Sequence, residues 1–260
     1  MNPSRVLVYH KVDSRFEWGI TRVTPAQFER HIRTLIGAGF RLVTLSEWFD
    51  NPHDENTVAI TFDDGYESVY QHALPILEKY DAKATIFVIS DYVGQENHWD
   101  VNIGWLKFRH LNETQLIEIA QKGHEIGSHT CSHKVLVEED ERTILEDFKR
   151  SKAKLESLVK HEVRFIAYPF GRFNSRLVQL TSQAGYDAGC VFMPYNHELL
   201  KSDPRLIYRQ GIYLTDSAKS VIGKVTPGFR FQWSRFKQNV INWAAGGTIF
   251  VNSMRKKNKS

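Results

Sequence analysis

The chain has 260 residues, 42% hydrophobic and 25% charged, the balance of a soluble globular domain. No apolar run approaches the roughly 20 residues of a membrane-spanning helix, and two cysteines, Cys131 and Cys190, are too few for a disulfide framework or a thiolate metal knuckle. The net charge of +4 is unevenly spread: nine of the 34 Lys and Arg residues follow Asp216, beyond which there is no Asp or Glu, leaving 25 basic against 30 acidic residues before it.

Strand and helix patterns alternate along the chain. Val6–Tyr9 reads as a strand and runs directly into His10. Thr24-Pro25 is a helix start, an N-cap hydroxyl followed by proline at the first helical position. Phe28, Ile32, Leu35 and Ile36 follow at helical spacing. Arg41–Leu45 reads as a strand, and Ser46 as the cap of a short helix holding Trp48 and Phe49. The β-branched run Val58–Phe62 predicts a buried strand that ends in Asp63, Asp64 and Gly65. Glu67–Tyr80 reads as a helix with a kink or restart at Pro75. Ala84–Ile89 is a further strand, followed by a loop from Asp91 to about Leu111 that carries Trp99 and Trp105. Asn112 is placed to cap a helix over Glu113–Gln121. Gly123-His124-Glu125-Ile126-Gly127 then leads to His129 and His133. A long helix is expected over about Glu139–Val159, a strand over Arg164–Tyr168, a helix from Asn174 to Ala184, and strands over Tyr186–Phe192 and Leu206–Tyr213.

This alternation predicts an α/β fold with a parallel sheet and helical crossovers, closed or nearly closed into a barrel, with an open doubly wound sheet as the alternative. No glycine-rich nucleotide loop is present. One catalytic-sized body is expected over residues 1–216 and a basic, aromatic-rich extension over 217–260. Met1–Arg5 passes straight into a strand pattern without a leader-like apolar segment, which gives the expectation of a cytoplasmic protein.

The chemistry-bearing residues fall where strands end. Ligands of parallel α/β folds gather at the carboxyl ends of strands, so Asp63 and Asp64 stand where a site would be, although Asp-Gly is also common in solvated turns. His129 and His133 are spaced i, i+4, which on a helical turn places two imidazoles on one face. Two His and one carboxylate hold a divalent cation and leave positions open for water and substrate; Zn, Fe, Co, Ni and Mn all suit that donor set. One of the two aspartates would then be free as a base, and His10, at another strand end, is the candidate acid.

Thr61-Phe62-Asp63-Asp64-Gly65 together with His129-Thr130-Cys131-Ser132-His133 resembles the first two motifs of the polysaccharide deacetylase family, the NodB-homology carbohydrate esterases. Ala167-Tyr168-Pro169-Phe170-Gly171 resembles the third, in the version of the branch acting on poly-N-acetylglucosamine, and Tyr9-His10-Lys11-Val12 fits a motif that this branch carries at the start of a circularly permuted barrel. The likeness runs from about Val6 to about Tyr213. It implies a distorted (β/α) barrel of about seven parallel strands and metal-dependent hydrolysis of an acetyl group on an N-acetylated sugar of a polysaccharide or glycan intermediate. It also implies Asp63 as base, Asp64, His129 and His133 as ligands of a divalent metal (zinc first), the Phe170 N–H as an oxyanion donor and His10 as general acid. His197, on a loop over Pro194–Ser202 within reach of the rim, is the rival to His10. Many members carry an arginine in the third motif where this chain has Ala167; Arg172 and Arg209 are the candidates to replace it.

Two other functions fit the same sequence: a glycan-binding barrel that has lost catalysis, motivated by the missing arginine, and a hydrolase of a non-sugar cyclic amide. Tyr92, Trp99, Trp105 and Tyr195 are candidates for stacking on sugar rings. The extension, with Phe229, Phe231, Trp233, Phe236 and Trp243 among Arg230, Arg235 and Lys237, suggests peripheral contact with anionic membrane at its inner face, without a nucleic-acid module.

Overall fold

The computed structural model describes residues 5–15, 17, 20–97, 107–192 and 203–227. Trp99, Trp105, Tyr195, His197 and the aromatic residues of the C-terminal extension lie outside them.

Seven parallel strands close on themselves. In spatial order they are β1 (Val6–Tyr9), β10 (Leu206–Gly211), β9 (Ala188–Phe192), β8 (Phe165–Ala167), β7 (Glu125–Ser128), β6 (Thr85–Val88) and β5 (Thr57–Phe62), and β5 pairs back onto β1. The N-terminal strand thus fills the gap between the last strand and β5, as a permuted barrel requires. β4 (Arg41–Val43) pairs with the start of β5, and β2 (Lys11–Val12) pairs with β3 (Arg22–Val23) apart from the barrel. The ring is uneven: β7 and β8 share a single register pair, Ser128 with Ile166.

Strand parity decides what fills the barrel. Alternate residues face opposite sides of a sheet. Val6, Ala59, Phe87, Phe165, Ala167, Ala188, Cys190 and Ile207 form one apolar cluster, the lumen. Their sequence neighbours Leu7, Val58, Ile60, Ile86, Ile166 and Val191 join the larger core beneath the helices. Continuing the inward parity by two or four residues gives His10, Thr61, Asp63, Phe192 and Arg209 at the carboxyl rim. The lumen therefore changes from apolar to charged at the end where the strands deliver their last inward residues.

The helices begin where their caps lie. Thr24 accepts from the Gln27 N–H at 3.2 Å and opens α1 (Pro25–Gly37). Asn112 and Gln115 form a reciprocal capping box on α4 (Glu113–Gln121). Asp140 caps α5 (Glu141–Val159), and Asn174 caps α6 (Ser175–Gln183). The short α2 (Leu45–Asp50) is capped by Thr44 rather than Ser46: Leu45 leaves the strand because its own N–H is taken by the Thr85 hydroxyl at 2.7 Å. The segment expected as a helix over Glu67–Tyr80 with a kink or restart at Pro75 is a π-helical turn, Val69–Ala73, followed by α3 (Leu74–Lys79), with Pro75, which has no N–H to continue the earlier turn, in its first turn. After β10, α7 (Ala218–Val225) packs against α1 with Val221 and Val225 in the core, so residues 218–225 belong to the packed body. No helix among the described residues is long and apolar enough to cross a membrane.

Candidate active site at the carboxyl rim of the barrel

Past Phe62 the β5 ladder stops and the chain turns sharply. Asp64 (φ 70°) and Gly65 (φ 66°) are both left-handed. A Cβ on Gly65 would lie 3.3 Å from Val88 Cα, so both the backbone sign and the close approach call for glycine. This turn separates the two aspartates. Asp63 keeps the inward parity and points into the lumen, while Asp64 is swung towards β7.

Asp64 meets the two histidines there. Its Oδ1 is 3.4 Å from His129 Nε2 and 3.5 Å from His133 Nε2. One donor atom from each of the three buried residues lies within 4.8 Å of the others, and they form the one such three-residue cluster among the described residues. The His129 Nδ1–H donates to the Ala167 carbonyl at 2.8 Å; a carbonyl can only accept, so Nδ1 carries a proton and Nε2, turned to Asp64, is the nitrogen left to bind a cation. The donors and this tautomer fit a divalent cation. The i, i+4 spacing acts differently from expectation: residues 129–135 are not helical, and Thr130 (φ 67°) and His133 (φ 57°) are left-handed. The imidazoles converge through a tight loop, their ring centroids 4.7 Å apart, pinned where the His133 N–H donates to the Thr130 hydroxyl at 3.0 Å.

Burial opposes charge on Asp64, but the hydrogen bond to His129 and the imidazoles gathered around it hold its carboxyl well below the usual carboxylate range. Burial, with the charge on His129, pushes His133 down to about 3, so it is neutral near pH 7. Burial also disfavours charge on His129, but Asp64 and Asp63 outweigh it and raise the pKa. A cation seated there would displace a proton.

Asp63 is held by another device. Arg209, fully buried on β10, grips it with two parallel bonds, Nη1 to Oδ1 at 2.6 Å and Nη2 to Oδ2 at 2.8 Å, and Nη1 also reaches the Thr61 hydroxyl at 3.2 Å. The guanidinium lies 4.9 Å from the Phe87 ring and 5.5 Å from that of Phe192. Burial raises the Asp63 pKa, but the charges of Arg209 and His129 overcome it and the net shift is downward. Arg209 therefore supplies the charge that the third motif lacks at Ala167, whereas Arg172 is exposed. Parity was the available signal: Arg209 is two residues from lumen-facing Ile207 in an otherwise apolar barrel.

His10 follows β1, the strand paired with β5, so it stands beside Asp63 at the rim, and its ring lies parallel to that of Phe192 at 6.2 Å. Phe170 (φ 59°) is left-handed, with its ring 4.7 Å from that of His133. Four of the six non-glycine residues with positive φ among the described residues, Asp64, Thr130, His133 and Phe170, thus gather at one rim, where such strain is characteristic of functional sites. Tyr92 is half-buried with its ring 5.3 Å from that of His110, and Trp48 packs on the lumen cluster. The thiol of Cys190, inside the barrel, is pushed up to about 12 by burial, and neither cysteine is poised as a nucleophile.

Fold and site together define a NodB-like (β/α) barrel with its ionisable groups collected at the carboxyl rim. The chain belongs to the polysaccharide deacetylase family, whose sequence profile matches residues 50–189. Bacillus subtilis YxkH, assigned by name to the polysaccharide deacetylases, is 32% identical over 73% of this chain and 64% of its own length. The poly-beta-1,6-N-acetyl-D-glucosamine N-deacetylase of Staphylococcus aureus is 31% identical over 64% of this chain and 60% of its own. The chain thus spans less than two thirds of either relative. The crystal structure of BC0361, a polysaccharide deacetylase from Bacillus cereus, superposes with a TM-score of 0.71 at 26% identity, over 85% of this chain and 68% of that one.

Proposed function

We propose that this protein is a metal-dependent deacetylase that hydrolyses the N-acetyl group of an N-acetylated glycan, with poly-β-1,6-N-acetylglucosamine or a related polymer as the substrate class suggested by the Staphylococcus aureus relative. The observation that carries this reading is the pairing, at one rim, of a three-residue donor cluster with a second carboxylate held separately by a buried arginine. Hydrolysis of an amide needs a base for water, stabilisation of the oxyanion and an acid for the leaving amine.

A divalent cation, zinc first, held by Asp64, His129 and His133 would lower the pKa of a water towards about 7 and polarise the acetyl carbonyl. Asp63 is the base. The Arg209 bonds fix its carboxylate and keep it ionised, ready to accept the proton of the attacking water. The Phe170 N–H is offered to the developing oxyanion; the left-handed turn at Phe170 sets its direction. His10 gives a proton to the departing nitrogen, the C–N bond breaks, and acetate and a free amine leave. The glycan-binding reading rested on the missing arginine, and Arg209 removes that motive.

The test is acetate release from poly-β-1,6-N-acetylglucosamine and chitooligosaccharides, with cyclic amides run alongside. The expected outcome is release from a glycan that chelation abolishes and added zinc restores. No release from any acetylated glycan by the metal-loaded protein would refute the reading. We further propose that the protein works in the cytoplasm with residues 227–260 resting on anionic membrane, supported by the basic and aromatic sequence there. Liposome binding unchanged by deleting those residues would count against it.

A further inference from the structure

The left-handed turn that carries Asp64 creates a backbone problem. The last ladder bond on β5 runs from the Asp63 N–H to the Tyr9 carbonyl at 2.9 Å. The carbonyls of Asp64 and Gly65 leave the sheet with the turn, and buried carbonyls need donors. Both donors come from one segment. The His110 Nδ1–H donates to the Asp64 carbonyl at 2.8 Å, and the Leu111 N–H to the Gly65 carbonyl at 2.8 Å. The segment is registered by the Glu67 N–H, which donates back to the Arg109 carbonyl at 2.8 Å.

His110 is built to hold one orientation. It is 2% exposed. Its ring stacks on Tyr66 at 5.0 Å and 20°, and lies 5.3 Å from Tyr92. The Tyr66 hydroxyl is itself fixed by the Asn97 side-chain amide at 2.9 Å. Because the Asp64 carbonyl can only accept, the tautomer is set with hydrogen on Nδ1. An aromatic clamp therefore directs one N–H at the peptide that aims the Asp64 carboxylate.

We propose that His110 is a positioning residue for the cation site: its Nδ1–H locks the Asp64 peptide in the left-handed state that brings the carboxylate to both imidazoles. The proposal rests on the reading of Asp64, His129 and His133 as a metal site. Losing the donor leaves the Asp64 carbonyl buried and unpaired, so other peptide orientations compete and the preformed donor set loosens. Outer groups of this kind change metal affinity by about 10–100-fold.

The experiment measures Zn(II) affinity of the full chain by competition with a chromogenic chelator, together with the electronic spectrum of bound Co(II). H110F keeps the stacked ring but has no donor, and H110N places an amide N–H where Nδ1 stood. The expected result is affinity about 10–100-fold weaker in H110F with altered Co(II) bands, and affinity in H110N within about threefold of wild type. Should H110F fail to fold, H110Q, whose amide sits at the ε rather than the δ position, takes its place with the same expected loss. Wild-type affinity in the donorless variant overturns the proposal. So does an equal loss in H110N, which would assign the effect to ring stacking. D64N separates this from the underlying reading: if wild type binds no Zn(II), or D64N binds it as tightly, the metal site itself is wrong and the proposal falls with it.

Discussion

At the amino end of the barrel, the Glu125 carboxylate takes hydrogen bonds from the Ser46 hydroxyl and N–H and from the Thr85 hydroxyl, which in turn takes the Leu45 N–H. At the carboxyl end, the Asp63 carboxylate takes two bonds from a buried guanidinium, and its neighbour Asp64 sits against two imidazoles. Both ends satisfy buried polar groups. The amino end does so with neutral donors and ordinary backbone, tying α2 to the sheet. The carboxyl end concentrates charge and left-handed backbone. An anchor needs only saturation of its hydrogen bonds; a site must also hold groups ionised that burial would neutralise, and that requires opposite charge close by.

The comparison is broken most severely at Asp63. Asp63→Asn keeps the shape but removes the base, and acetate release should fall by about 10²–10⁴-fold while Zn(II) binding persists. Substantial residual turnover would place the base elsewhere. Arg209→Met leaves Asp63 buried without its partner; breaking such a pair costs about 3–5 kcal/mol, read as a lower urea midpoint, and adding Asp63→Asn in that background should recover part of the loss. If the double variant is no more stable than the single, the pair is not energetically coupled.

The amino end carries a pH dependence of its own. His124 accepts the Ala84 N–H at 3.2 Å through Nδ1, and burial, with the charge of Lys83, pushes its pKa down to about 4. The unfolded chain, with an ordinary histidine, binds this proton near pH 6.5. Stability from His124 is therefore intact above pH 6.5 and lost as pH falls towards 4, by about 2 kcal/mol at pH 5 and about 3 kcal/mol at pH 4. His124→Asn, which keeps an acceptor, should flatten that part of the urea-midpoint profile; an unchanged slope would assign the acid loss to other groups. The smallest effect is expected at Glu125→Gln: about 1 kcal/mol of stability and unchanged acetate release. A large loss of activity there would show that the two ends are not functionally distinct.

Local physics was legible in the sequence. Thr24, Asn112 and Asn174 cap the helices they were expected to cap, because an N-cap needs only a side-chain oxygen and the next three residues. Where two neighbouring groups compete, as Thr44 and Ser46 do for α2, the choice went to a residue distant in sequence, Thr85, which captures the Leu45 N–H. The HxxxH spacing picked out two imidazoles that do converge, but not for the helical reason, since the loop through Thr130 and His133 is left-handed.

The sequence by itself determined the alternation of strands and helices and the residues able to do chemistry at the strand ends. Tertiary structure alone decided which of them meet. Barrel closure sets β10 one strand away from β5, across β1, and brings Arg209 to Asp63 over 146 residues of chain; nothing local selects it over Arg172. Likewise the turn at Asp64 and Gly65 needs donors for its carbonyls, but only packing of the 109–111 segment supplies them. Periodicity and capping are properties of a few consecutive residues. Charge pairing and the filling of orphaned hydrogen bonds are properties of the closed barrel.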